Sequence, residues 1–162
     1  MGSGCTMKCP QCGYEFGRSE GVGFMFPMVY QELVQKAKNG ELGEEIKLFF
    51  SEHPDGAINA DRTTLVCNEC GNLSGDYDLT MYISNGEKRE KRADQRWSVA
   101  MPFTGADYIV SDDLDQYYNE YMKYPHKCKK CGGNMHIAGS KEKLMCPKCK
   151  IPLEIGGFIC WD

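Results

Sequence analysis

Residues 128–150 read CKKCGGNMHIAGSKEKLMCPKCK. Two C-x-x-C pairs, Cys128/Cys131 and Cys146/Cys149, stand here with a gap of 14 residues between them. At this spacing a tight knuckle points two thiols at one point, and a glycine after the second cysteine lets the chain reverse with positive φ. Two knuckles complete a tetrahedral four-sulfur site, and thiolates at that density select zinc, or iron in a rubredoxin-like or cluster site. Working outward, the same pattern recurs at Cys9-Pro-Gln-Cys12 and Cys67-Asn-Glu-Cys70. Gly13, Gly71 and Gly132 follow three of the knuckles, and Lys150 follows the fourth. Four pairs make two sites, so the expectation is two Zn2+ per chain, held by Cys9, Cys12, Cys67, Cys70, Cys128, Cys131, Cys146 and Cys149. Disulfides and redox-active dithiols are the competing use of C-x-x-C. Four repeated pairs with no secretory signal argue against both.

On these residues the segment 128–149 resembles a zinc ribbon, and Lys8-Cys9-Pro-Gln-Cys12-Gly-Tyr resembles a first ribbon knuckle. The resemblance implies an α+β chain with two small zinc-ribbon β-hairpin modules, the first carrying a helical insertion. It names a superfamily and leaves the task open, since ribbons serve nucleic-acid binding, protein contacts and structural stapling alike. Nearest neighbours would pair Cys9, Cys12, Cys67 and Cys70 in one site and Cys128, Cys131, Cys146 and Cys149 in the other. Loop-closure entropy rises only slowly with length, so a different partition of the four knuckles stays open. The corresponding organisation is an N-terminal ribbon over 1–86 with a helical insertion at about 24–56. A charged linker follows over 87–96, then a strand/helix segment with the basic C-terminal ribbon over 97–162.

A chain of 162 residues suffices for one ordinary domain or two small ones. With 10 cysteines it falls short of the roughly 8–10% share of a secreted disulfide scaffold. No apolar run approaches the roughly 18–20 residues of a membrane helix, and the first 15 residues lack a signal-peptide core. A cytoplasmic protein is the expectation. Cys5 and Cys160 are left over. Cys5-x-x-x-Cys9-x-x-Cys12 resembles the cluster motif of radical S-adenosylmethionine enzymes, but this chain is too short for their partial barrel. Met1-Gly2-Ser3-Gly4-Cys5-Thr6 also matches the N-myristoylation pattern. Gly2-Ser3-Gly4 reads more simply as linker, with Met7 a natural start. Cys160, between Ile159 and Trp161, reads as a packing thiol.

Between the knuckles, Pro27–Lys38 is expected to be helical, stopped at Asn39-Gly40, and a second helix is expected from Glu41 or Leu42 to Glu52. Thr63–Cys67 and Leu79–Ile83 read as strands, as do the short stretches Trp97–Val99 and Tyr108–Val110. Ser111 is placed to cap a helix from Asp112 to about Lys123, whose Leu114, Tyr117, Tyr118, Tyr121 and Tyr124 would form an aromatic stripe.

Charge is uneven. Residues 123–150 hold eight lysines against one glutamate, whereas residues 1–122 hold 11 basic and 20 acidic residues. The basic segment suggests a weak, salt-dependent, sequence-blind nucleic-acid contact through Lys127, Lys129, Lys130, Lys141, Lys143, Lys148 and Lys150. The charged stretch 88–96 would be a second polyanion-contacting arm. The alternative is a protein–protein adaptor in which both ribbons are staples and the helices dock a partner. No catalytic constellation stands out: His53, His126 and His136 fit no H-E-x-x-H or deaminase signature, and a closed four-sulfur shell has no open position for substrate. The reading therefore leans away from an enzyme. His126 and His136 flank the third knuckle and are alternative ligands.

Overall fold

The computed structural model describes residues 2–23, 25–92 and 106–161. The chain is α+β, and its backbone divides into two compact units that are both discontinuous in sequence. Unit 1 comprises Met1–Phe24, Asp61–Asp78 and Pro125–Asp162, and unit 2 comprises Met25–Ala60 and Leu79–Tyr124.

Unit 1 is built from hairpins. β1 (Gly2–Lys8) and β2 (Glu15–Glu20) are antiparallel and joined by the first knuckle. β4 (Arg62–Cys67) and β5 (Leu73–Tyr77) are likewise joined by the second. β8 (Met135–Ile137) follows the third knuckle, and β9 (Glu154–Trp161) follows the fourth. Two antiparallel sheets result, in the orders β2-β1-β9 and β5-β4-β8. Strand β1 is the centre of the first sheet, with Cys5 opposite both Arg18 and Phe158. The linker reading of Gly2-Ser3-Gly4 is thereby corrected. Ser3 and Gly4 pair on both sides and Gly2 pairs with β9, because the antiparallel ladders satisfy their backbone groups without any demand on side chains. Met7, Cys9, Leu73, Ala138, Leu144, Cys146 and Leu153 form one buried cluster, in which two of the seven members are knuckle cysteines.

Unit 2 contains every helix among the described residues. α1 (Phe26–Asn39) carries Pro27 in its first turn and buries Phe26, Tyr30, Leu33 and Ala37, which recur at helical spacing. It ends at Gly40, φ 82°, with Gly40 and Glu41 N–H groups returning to the Ala37 and Lys36 carbonyls. α2 (Glu44–Glu52) begins two or three residues later than expected, because residues 40–42 form the turn that follows the left-handed cap. It buries Ile46, Phe49 and Phe50, with Glu44 and Glu45 at its positive end. A third sheet has the order β3-β6-β7, from β3 (Ala57–Ile58), β6 (Met81–Ser84) and β7 (Tyr118–Met122).

Three expectations fail in this unit. Ser111 does not cap α3 (Ser111–Tyr117): Val110 holds the N-cap position, and Ser111 is the first helical residue. α3 stops at Tyr117, and the chain then turns into strand β7 where the aromatic stripe predicted continued helix. The tyrosines suit a pleated strand as well as a helix, and Ile83 and Ser84 of β6 pair with Asn119 and Tyr118. Tyr108–Val110 is not a strand, although Tyr108 and Ile109 are buried, with the Phe26 ring edge-on to Tyr108 at 6.4 Å. The strand expected at Trp97–Val99 lies outside the described residues.

Candidate metal centres

Each knuckle is folded by the same two backbone bonds. The first cysteine's N–H donates to the carbonyl five residues on, and the N–H four residues on donates back to the cysteine carbonyl. The pairs are Cys9→Tyr14 with Gly13→Cys9, Cys67→Asn72 with Gly71→Cys67, Cys128→Gly133 with Gly132→Cys128, and Cys146→Ile151 with Lys150→Cys146, all at 2.8–3.1 Å. The fourth residue must therefore be left-handed. Gly13, Gly71 and Gly132 stand there at φ 71°, 71° and 76°, and Lys150 at 60°. This is the fourfold repeat that the C-x-x-C spacing encodes.

The knuckles meet in two groups: Cys9, Cys12, Cys146 and Cys149, and Cys67, Cys70, Cys128 and Cys131. Within each group the four sulfurs lie within 4.8 Å of one another. Cys12 and Cys146 stand 3.7 Å apart, Cys67 and Cys131 3.4 Å, and Cys70 and Cys128 3.7 Å. A tetrahedron of zinc–sulfur bonds near 2.3 Å has edges of about 3.8 Å, so both groups fit a tetrahedral ion and neither fits a disulfide near 2.05 Å. The described cysteines are all free thiols.

The nearest-neighbour pairing is thus overturned in favour of a nested one, with the outer site enclosing the inner in sequence. Strand pairing is the cause. β1 pairs with β9 and β4 with β8, so the ladders bring the first knuckle to the fourth and the second to the third. Entropy opposes this only weakly. Closing the 134 residues between Cys12 and Cys146, instead of the 55 from Cys12 to Cys67, costs about 0.8 kcal/mol more.

Backbone N–H groups reach three of the sulfurs, and within each site the thiols are pushed in opposite directions, Cys67 and Cys146 down and Cys131 and Cys149 up. Cys70 N–H donates to Cys67 Sγ at 3.4 Å, Gly133 N–H to Cys131 at 3.4 Å and Cys149 N–H to Cys146 at 3.5 Å. The Cys70 N–H holds the Cys67 thiol down at about 6. Cys146 is held at about 7, where the Cys149 and Lys148 N–H groups outweigh its burial. Cys149 is pushed up to about 12 by sharing its proton with Cys12. Each site therefore ionises unevenly when no cation neutralises the cluster, and a divalent ion would draw off the remaining protons.

The histidines are engaged elsewhere. Buried His126 places Nε2 at 2.8 Å from the Asp78 carbonyl. His136 lies between Asn68 Oδ1 and Glu142 Oε1, the latter at 3.0 Å. His53 stacks with Phe49 and Tyr121 in unit 2. None belongs to either cysteine group.

The seven predicted contact lysines all lie in unit 1 and all are exposed. Lys127 donates to Asn134 Oδ1 at 2.6 Å and Lys150 to the Cys70 carbonyl at 2.9 Å. Among the described residues no carboxylate pairs with any of the seven. The polyanion arm fares differently. Arg89 pairs with Asp107, and Arg92 puts Nε and Nη2 on Asp113 at 2.9 and 3.0 Å. These guanidiniums are only 10% and 28% exposed, so they are not available to a polyanion, whereas Lys88 and Lys91 are exposed. Asp113 reads from the sequence only as an acidic residue favourable at the start of α3, and nothing local marks it or Asp107 as the partner of an arginine about twenty positions away.

No family model matches this chain, and no curated protein or solved structure shows significant similarity to it.

Proposed function

We propose that this chain is a zinc-stapled, non-catalytic binding module whose lysine-rich rim makes weak, sequence-blind contact with nucleic-acid phosphates. The support is the set of seven exposed lysines with no carboxylate partner among the described residues. Zinc is favoured because eight cysteine sulfurs in two closed tetrahedra suit a soft-tolerant, redox-inert ion. With all four positions taken, such sites supply folding free energy and no Lewis-acid chemistry.

The charge arithmetic limits the affinity. A divalent ion on four thiolates leaves each site a dianion. Lys129, Lys130 and Lys148 stand inside knuckles, and Lys150 sets its ammonium on the Cys70 carbonyl; these four offset that charge. Lys127, Lys141 and Lys143 remain as the uncompensated set. On single-stranded nucleic acid, three engaged phosphates give a log–log salt slope of roughly −2, and all seven lysines would give roughly −5. Native mass spectrometry of protein purified without added metal should show two zinc ions per chain. A salt titration on a mixed-sequence single strand should give the shallow slope, and Lys141→Glu/Lys143→Glu should abolish binding. Salt-insensitive binding, or none at low salt, would overturn the nucleic-acid reading.

A second reading has its own observation. Met25 and Met28 at the start of α1 and Leu48 on α2 are 42%, 47% and 58% exposed. Exposed methionine and leucine on helices suit docking of a protein partner. Retained binding of a protein partner at high salt would favour this adaptor role.

A further inference from the structure

Lys150 occupies a place where the other three knuckles carry glycine. Its φ of 60° is left-handed, a conformation unfavourable for an L residue. Glycine would avoid that cost, so the side chain must return something. It follows Cys149 of the outer site, and its ammonium donates to the carbonyl of Cys70, a cysteine of the inner site, at 2.9 Å. The neighbouring Gly71 makes the approach possible: a Cβ there would lie 3.1 Å from Lys150 Nζ.

We infer that Lys150 ties the two four-sulfur sites into one cooperative metal-binding unit. This rests on the metal-binding reading above. The bond from Lys150 to Cys70 needs both knuckles in their folded form. Loading the outer site holds residues 146–150 in the conformation that presents the ammonium, and loading the inner site holds residues 67–71 in the one that presents the carbonyl. Each loaded site therefore lowers the cost of forming the other. The electrostatics act in the same direction. Two dianionic centres repel, and an ammonium covalently next to one and bonded to the backbone of the other offsets the charge of both. Because the lysine is exposed, the coupling is modest, roughly fivefold in the second binding constant.

The experiment uses the full chain loaded with Zn2+, stripped by increasing EDTA and followed by native mass spectrometry, which counts two-, one- and zero-metal molecules directly. For two matched sites coupled fivefold, the one-metal fraction of the natural chain should peak at about 0.3 of all molecules. In Lys150→Gly, which relieves the backbone and matches the other knuckles, it should peak at about 0.5, the value for independent sites. Lys150→Met, which keeps the stem and loses the charge, should behave likewise, and Lys150→Arg should restore the natural distribution. Equal one-metal fractions in the natural chain, Lys150→Gly and Lys150→Met would overturn the coupling. The starting metal count is a separate readout: failure of the natural chain to hold two ions would overturn the metal-binding reading itself, and the coupling with it.

Discussion

Asp113 is 5% exposed and accepts three bonds, two from Arg92 and one at 3.1 Å from the Val110 N–H at the start of α3. Burial alone would raise its pKa, but the Arg92 guanidinium and the Val110 N–H hold it below the usual carboxylate value. A depressed folded-state pKa stabilises the fold above the unfolded value near pH 4, and the contribution is lost as pH falls through the lower folded value. Asp113→Asn should therefore destabilise the helical unit by about 1–3 kcal/mol at neutral pH, since Arg92 loses its charged partner. Denaturant melts of natural and variant chains should converge as pH falls through and below the unfolded carboxylate range. A constant difference across that range would show that the carboxylate's charge is not what matters. At the same scale, the knuckle positions were readable from sequence because the left-handed fourth residue writes itself as glycine at 13, 71 and 132. Lys150 hides the signal at the fourth, since only its distance to Cys70 explains why a non-glycine residue is held there.

At the scale of elements, helices with a clear stop were read correctly, and strands were read only where they are rich in β-branched residues. α1 is bracketed by Pro27 and Gly40, and β4 carries Thr63, Thr64 and Val66. β1 reads Gly-Ser-Gly-Cys-Thr-Met-Lys and has no such signature. It is a strand because β2 and β9 supply partners on both sides. That position yields a prediction. Deleting residues 2–6 removes the centre of the β2-β1-β9 sheet, whose ladder aligns the first knuckle with the fourth. The truncated chain should retain the inner ion and lose the outer, so that native mass spectrometry finds mainly one metal per molecule. Two ions retained at natural affinity would return these residues to the role of a passive linker. β7 teaches the converse lesson. Five residues from Tyr118 carry helix-compatible spacing, yet pairing with β6 decides their conformation, and pairing is a long-range fact.

For the whole molecule, the division of labour between the two units sets the response to metal loss. Unit 1 has a buried cluster of seven residues that includes two knuckle cysteines, whereas unit 2 contains no cysteine and has its own buried set in Phe26, Tyr30, Leu33, Ile46, Phe49, Ile58, Met81 and Tyr108. A small core that shares its residues with the metal site should not survive without the ion. Complete chelation should collapse the amide dispersion of Cys9, Cys67, Cys128 and Cys146 while the helical far-ultraviolet signal, which arises from α1, α2 and α3 in unit 2, is largely kept. Loss of both together would mean that the units fold as one cooperative body.

The identity of the eight clustered cysteines, their use in two groups of four, and the existence of two helices, expected over Pro27–Lys38 and from Glu41 or Leu42 to Glu52, were determined by sequence alone, because each depends on residues within a few positions of one another: the i to i+3 cysteine spacing, the glycine that follows it, and the 3.6-residue apolar period. Which knuckle meets which, which arginines are buried against Asp107 and Asp113, and where α3 gives way to β7 were decided only by the tertiary structure. Those outcomes depend on strand partners distant along the chain, and the entropy of closing long loops grows too slowly with length to mark the right partner in advance.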